Sequence, residues 1–257
     1  MNQYPKNIFQ AIILLLIGIV SVVPFVFIKE VLDFKISTDL YNQFLFLILF
    51  IAISIIYGIK NRSTFIFNQF WKNGTKLSPK TGLFLLLFLI IFQFGVNIPL
   101  SKYLAFNINE ENNITNQLNN IGIIIGALLL APICEEIVFR GMILKGFLQT
   151  YSPITAICFS TFIFSIIHVH PTLLFGALVL GMLLGYIYYI TNSVFSGIVF
   201  HAAANLITIF GGYLLFRFYG NNRIEAIYGS MTILVILVSV ILCTGIGFIL
   251  KGKKRIL

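Results

Sequence analysis

The stretch IGIIIGALLLAPICEEIVFRGMILKGFL, residues 121–148, decides how this chain folds. Its first fourteen residues carry no charge. A helix of about 20 apolar residues crosses the hydrocarbon of a bilayer, and this run is long enough. Yet Glu135, Glu136 and Arg140 stand well inside it. Ionisable side chains at membrane depth are expensive, and by default they mark a functional site. The stretch therefore reads as a transmembrane helix that carries chemistry.

The rest of the chain agrees. Of 257 residues, 59% are hydrophobic and 10% charged, whereas soluble domains run near about 25% charged. Further apolar runs occupy 8–28, 41–59, 82–104, 153–169, 172–190, 193–216 and 227–250. The fold class that follows is all-α: a polytopic membrane protein of about eight transmembrane helices, with its site in the bundle core. Three regions are expected. Residues 1–120 hold helices 1–3 and an interfacial segment, 61–80, where Phe65, Phe67, Phe70 and Trp71 alternate with Lys and Asn. Residues 121–216 form the core of helices 4–7, and 217–257 hold the last helix and a basic tail. The run at 8–28 has no small-residue cleavage site and is read as a retained first span. Cys134, Cys158 and Cys243 all lie in apolar runs. They read as packing residues, not as a disulfide framework.

The net charge of +9 does not point to nucleic acid. Its basic residues flank apolar runs, in KNRSTFIFNQFWKNGTKLSPK (60–80) and KGKKRIL (251–257), the pattern that sets topology next to anionic lipid. With the N-terminus inside, Lys6, Lys60, Arg62, Lys72, Lys76, Lys80, Lys251, Lys253, Lys254 and Arg255 fall on the cytoplasmic side. The outer loops carry only Lys29, Lys35, Lys102, Arg217 and Arg223. Both termini are expected in the cytoplasm. The Ile-, Asn- and Phe-rich composition suggests an AT-rich bacterial genome and a plasma-membrane protein.

Six of the eight acids, Glu30, Asp33, Asp39, Glu110, Glu111 and Glu225, fall in loops. Glu135 and Glu136 alone fall in a span. Glu136 and Arg140 are four apart, so they share a helical face and can pair. Glu135 points about 100° away and needs a partner from another helix. A carboxylate in such surroundings can act as a general base. The chain has three histidines. His168 ends the fifth run, His170 follows at an outer turn and reads as solvated, and His201 lies in the seventh, four residues before Asn205. Counting helical rise from the cytoplasmic side puts Glu135 roughly 20 Å deep, His168 roughly 22 Å and His201 roughly 12 Å. Those depths are compatible with one mid-membrane cavity. Each residue alone has a plainer reading, as interhelical glue or a satisfied buried histidine. Their joint placement in three spans argues for a site.

Three motifs carry a resemblance. EEIVFRG (135–141), FSIIH (164–168) and HAAAN (201–205) resemble, in order and spacing, the EExxxR, FxxxH and HxxxN motifs of the CPBP family of CAAX-prenyl endopeptidases and bacteriocin-processing proteases, also called Abi proteins. The resemblance covers about 121–210; the preceding residues match only in being hydrophobic. It implies an intramembrane endopeptidase acting on a peptide or membrane-protein substrate within the lipid bilayer. Glu135 would activate water, His168 would help hold that water, and His201 and Asn205 would stabilise the oxyanion. Glu136 and Arg140 would form a supporting pair, with Phe164 beside them. The family has been described both as glutamic and as metallopeptidases. A zinc ion could take Glu135, His168 and His201 as ligands. No HExxH sequence is present, and the reading preferred here needs no metal. In a bacterium a secreted peptide or its leader is the expected substrate over a prenylated one.

Two other readings stay open at this level. One is a non-enzymatic immunity factor or a scaffold for a partner membrane protein. The other is a proton-coupled transporter, since acids and histidines in spans also build proton relays. The absence of repeated halves disfavours the transporter.

Overall fold

The computed structural model describes residues 3–32, 37–61, 77–100, 120–168, 171–219 and 223–251. The described residues are almost entirely helical. Their order is α1 (Ile8–Leu32), α2 (Thr38–Asn61), α3 (Pro79–Leu100), α4 (Ile121–Phe147), α5 (Pro153–Ile166), α6 (Pro171–Thr191), α7 (Val194–Tyr219), a short α8 (Arg223–Tyr228) and α9 (Thr232–Lys251). Seven helices among the described residues are long and apolar enough to span a membrane. The chain is a multi-pass membrane protein. Most of the interfacial segment expected at 61–80 lies outside the described residues.

One expected span is shorter than the apolar run suggests. The fifth was placed at 153–169, but α5 has 14 residues and stops at Ile166. At about 1.5 Å per residue it is roughly 21 Å long, short of the roughly 30 Å of hydrocarbon. The chain turns at Ile167 and His168, and α6 starts at Pro171. His168 consequently sits in the turn beyond α5, inside the bundle.

Lipid gives helices no hydrophobic reason to associate, so close approach depends on small residues. Large apolar side chains such as Phe27, Leu83 and Ile241 face outward. Inside, α5 packs most extensively on α6. The stretch GMLLG puts Gly181 and Gly185 one turn apart on that seam. A Cβ on Gly181 would lie 2.9 Å from the Thr161 methyl, and one on Gly185 2.9 Å from Ile157. On α1, Gly18 meets Ile53 of α2 in the same way.

The main core gathers around the second half of α4. Ile137, Met142, Ile143, Leu144 and Phe147 are buried there against α1, α2, α5 and α6. A second core joins Leu85 and Leu89 of α3 to Leu184 and Ile187 of α6 and Phe200 of α7.

The helix α4 is not uniformly α. Its hydrogen bonds widen to the π pattern at Gly126–Leu130 and again at Ile137–Leu144. The first π turn falls just before Pro132, which has no N–H to give and whose ring crowds the preceding turn. The wider turn absorbs that mismatch, as π turns at functional sites commonly do. The α segment Ala131–Glu136 therefore holds the two carboxylates between two widened stretches. A third π turn, Gln93–Asn97, interrupts α3.

Candidate active site

Glu136 is the fixed point of the site. Arg140 Nη1 donates to its Oε1 at 2.7 Å, and both side chains are buried. His201 Nδ1, from α7, lies 2.9 Å from the same oxygen. That oxygen already accepts from Arg140, so the ring nitrogen is the donor, and Nε2 is left facing away from Glu136. Arg140 also donates from Nη2 to the carbonyl of Gly181 at 3.2 Å. A buried ion pair is tolerable only when its remaining donors find partners, and α6 supplies one.

Phe164 is the platform beneath these groups. The Arg140 guanidinium lies over its ring at 4.7 Å. His201 meets it edge-on at 5.9 Å, and His168 tilts against it at 4.9 Å. The His168 Nδ1 sits 3.0 Å from the Phe164 carbonyl oxygen. A carbonyl can only accept, so Nδ1 carries the proton and Nε2 is free to accept.

Glu135 points toward the same histidine. Its Oε2 is 3.8 Å from His201 Nε2, too long for a hydrogen bond. One water at about 2.8 Å from each could bridge that gap. Among the described residues Glu135 Oε2 has no hydrogen-bond partner. Asn205 lies one turn beyond His201, and its Nδ2 donates to the carbonyl of Ala127 at 2.7 Å, inside the first π turn of α4. One Nδ2 proton remains for another acceptor.

A cavity of about 140 Å³ opens beside these groups. Phe164, His168, His201 and Asn205 line it, and Gln93 and Asn97 of α3 form part of its wall. Glu135 is not among the described residues that line it; it borders the cavity through His201. The volume is ample for several waters. The site thus offers a carboxylate oxygen without a hydrogen bond, two imidazole nitrogens and an amide donor beside a small, largely apolar chamber with a few polar groups in its wall.

A metal must be tested against this geometry. Zinc usually takes three protein ligands. Among the described residues no group of three His, Cys, Asp or Glu side chains is arranged to hold a metal ion. Both histidines commit Nδ1 elsewhere, and Glu135, His168 and His201 do not close into a ligand set. His170 lies outside the described residues.

Six of the seven residues expected at the site meet directly or through Phe164: Glu135, Glu136, Arg140, Phe164, His168 and His201. The seventh, Asn205, joins at the cavity wall. Sequence reasoning did not link Glu136 to His201, because that bond needs the crossing of α4 and α7. It also passed over three glycines. Gly181 and Gly185 carry the GxxxG signature of close helix packing, which was there to read. Gly197 of α7 had no such signal. A Cβ there would lie 2.6 Å from Glu136 Oε2, whose carboxylate is locked by Arg140 and His201. Gly197→Ala is accordingly expected to cost roughly 1–3 kcal/mol by overpacking. A detergent melting curve measures it, and a melting point unchanged from wild type would contradict this packing.

Comparison with known proteins agrees with the motifs. The model of the type II CAAX prenyl endopeptidase Rce1-like family matches residues 117–207, which contain the seven residues expected at the site but not Gln93 and Asn97 of the cavity wall. The UPF0177 protein YajF of Lactococcus lactis subsp. lactis (strain IL1403) is 32% identical over 134 residues, 49% of this chain and 62% of that relative. The match thus spans less than two thirds of the relative's length. No solved structure matches the chain. Motifs, membrane architecture and both matches point the same way: over residues 117–207 the chain is similar to the type II CAAX prenyl endopeptidase Rce1-like family.

Proposed function

We propose that this protein is an intramembrane endopeptidase that hydrolyses a peptide bond with water activated by Glu135. One observation carries the reading. His201 is held by Glu136 at 2.9 Å and faces Glu135 Oε2, which accepts no hydrogen bond among the described residues, at 3.8 Å, at the wall of a chamber shared with His168 and Asn205.

In this mechanism a water sits between Glu135 and the histidines. Glu135 takes one of its protons while the Nε2 of His168 accepts a hydrogen bond from the other. The water oxygen bonds to the scissile carbonyl carbon, and the carbonyl electrons move onto its oxygen. His201 Nε2, when protonated, and the remaining Asn205 N–H donate to that oxyanion. The carbon–nitrogen bond then breaks as Glu135 returns its proton to the leaving nitrogen. Glu136 and Arg140 position His201 throughout and touch no reacting atom.

The reaction needs no metal in this scheme. Cleavage is expected to survive extended dialysis against a zinc chelator. Activity lost in the chelator and restored by zinc would overturn this part of the mechanism.

A membrane proteomics comparison of cells carrying wild type and Glu135→Gln tests the proposal and finds the substrate. Uncleaved precursors are expected to accumulate only with the variant. Identical precursor profiles, at equal levels of the two proteins, would count against a protease.

A further inference from the structure

The cavity has a second polar wall that none of the three motifs supplies. Gln93 and Asn97 stand on α3, in a run that reads as plain hydrocarbon, FLLLFLIIFQFGVNIPL (84–100). Two amides in a membrane helix are costly unless something repays their desolvation. Gln93 is 7% exposed and Asn97 is partly buried, and both line the cavity opposite the histidines' helices. Asn97 Nδ2 donates to Gln93 Oε1 at 3.1 Å, so the two amides act as a unit. That bond leaves Gln93 Nε2 as a donor and Asn97 Oδ1 as an acceptor.

The plainer role would be repair of the helix backbone. The π turn at Gln93–Asn97 strains the local ladder, and polar side chains often patch such places. Here the patch comes from elsewhere. Tyr228 donates its hydroxyl to the Phe94 carbonyl at 2.6 Å. Asn97 also rests against bare backbone, since a Cβ on Gly176 of α6 would lie 3.2 Å from its Oδ1.

A donor and an acceptor side by side match one residue of an extended peptide backbone, which presents a C=O and an N–H. A peptide bond can be attacked only after its segment leaves the helix, and in lipid the released groups need partners. We infer that Gln93 and Asn97 are substrate-positioning residues that hydrogen-bond the backbone of an unwound, extended segment lying across the cavity. The substrate class is a membrane-embedded peptide that can unwind locally, read by its main chain and not by one side chain. The inference rests on the protease reading given above.

The test uses the full-length protein and Glu135→Gln as a trap. Uncleaved precursors should co-purify with Glu135→Gln in mild detergent. Adding Gln93→Leu and Asn97→Ala should lower the retained precursor ~10- to 30-fold per folded protein, the loss of two hydrogen bonds. In an otherwise wild-type chain the same pair of changes should let the same precursors build up in cells. Should the double variant not accumulate, Gln93→Met alone, which keeps length and bulk, is read with an expected ~3- to 10-fold loss. Unchanged retention per folded protein overturns the inference, and a lowered melting point with unchanged retention assigns the pair to packing. If Glu135→Gln neither retains precursors nor raises them in cells, the protease reading itself fails.

Discussion

Replacing Arg140 by alanine is expected to cost about 3–5 kcal/mol and to remove most folded protein from the membrane. The change strips Glu136 of its 2.7 Å partner inside the bundle, with neither side chain open to solvent. It also frees the Gly181 carbonyl and takes the cation off the Phe164 ring. Arg140→Lys should rescue only in part, because a single ammonium does not reproduce the planar fork that reaches both Glu136 and Gly181. Pairing Arg140→Met with Glu136→Gln should be milder than Arg140→Ala, since no buried charge is left alone. Protein level in membranes and melting in detergent measure all three. Equal stability of Arg140→Ala and wild type would show that the buried pair supports nothing.

Glu135→Gln should behave in the opposite way. The Glu135 Oε2 makes no hydrogen bond among the described residues, so an amide there gives up only the 3.8 Å contact with His201. Stability is expected within roughly 1 kcal/mol of wild type. Turnover should fall by roughly 10²–10⁴, the range that a positioned general base contributes. The adjacent carboxylates thus separate: Glu135→Gln is expected to fold and not to cut, whereas Glu136→Gln alone takes the charge partner from buried Arg140 and is expected to lose folded protein. A purified-protein assay with parallel melting curves resolves them. If Glu136→Gln proved fully stable and inactive while Glu135→Gln cut normally, the two roles would have to be exchanged.

Much of this was legible in the sequence. Hydropathy located the spans because a 20-residue apolar run has few other uses. The pairing of Glu136 with Arg140 followed from helical spacing alone, and the structure contains it. What escaped depends on hydrogen-bond phase or on the crossing of helices. No residue pattern separates a π turn from an α turn, so the widened stretches of α4 were invisible apart from the hint of Pro132. The fifth span was drawn too long because hydropathy counts residues and does not see where a helix stops. Asn205 was matched to a motif, but its bond to Ala127 joins residues far apart in the chain. Gln93 and Asn97 were absorbed into an apolar run, although two amides four apart in a span were a readable signal.

Under the proposed mechanism Glu135 activates water at a site built by α4, α5 and α7. Its most direct test takes a precursor that accumulates with Glu135→Gln and presents it to purified protein in lipid nanodiscs, in ¹⁸O-labelled water. The account predicts that wild type cuts the precursor once and places ¹⁸O in the new carboxyl terminus, while Glu135→Gln, melting at the same temperature, leaves it whole. Cleavage by Glu135→Gln at the wild-type rate would contradict it.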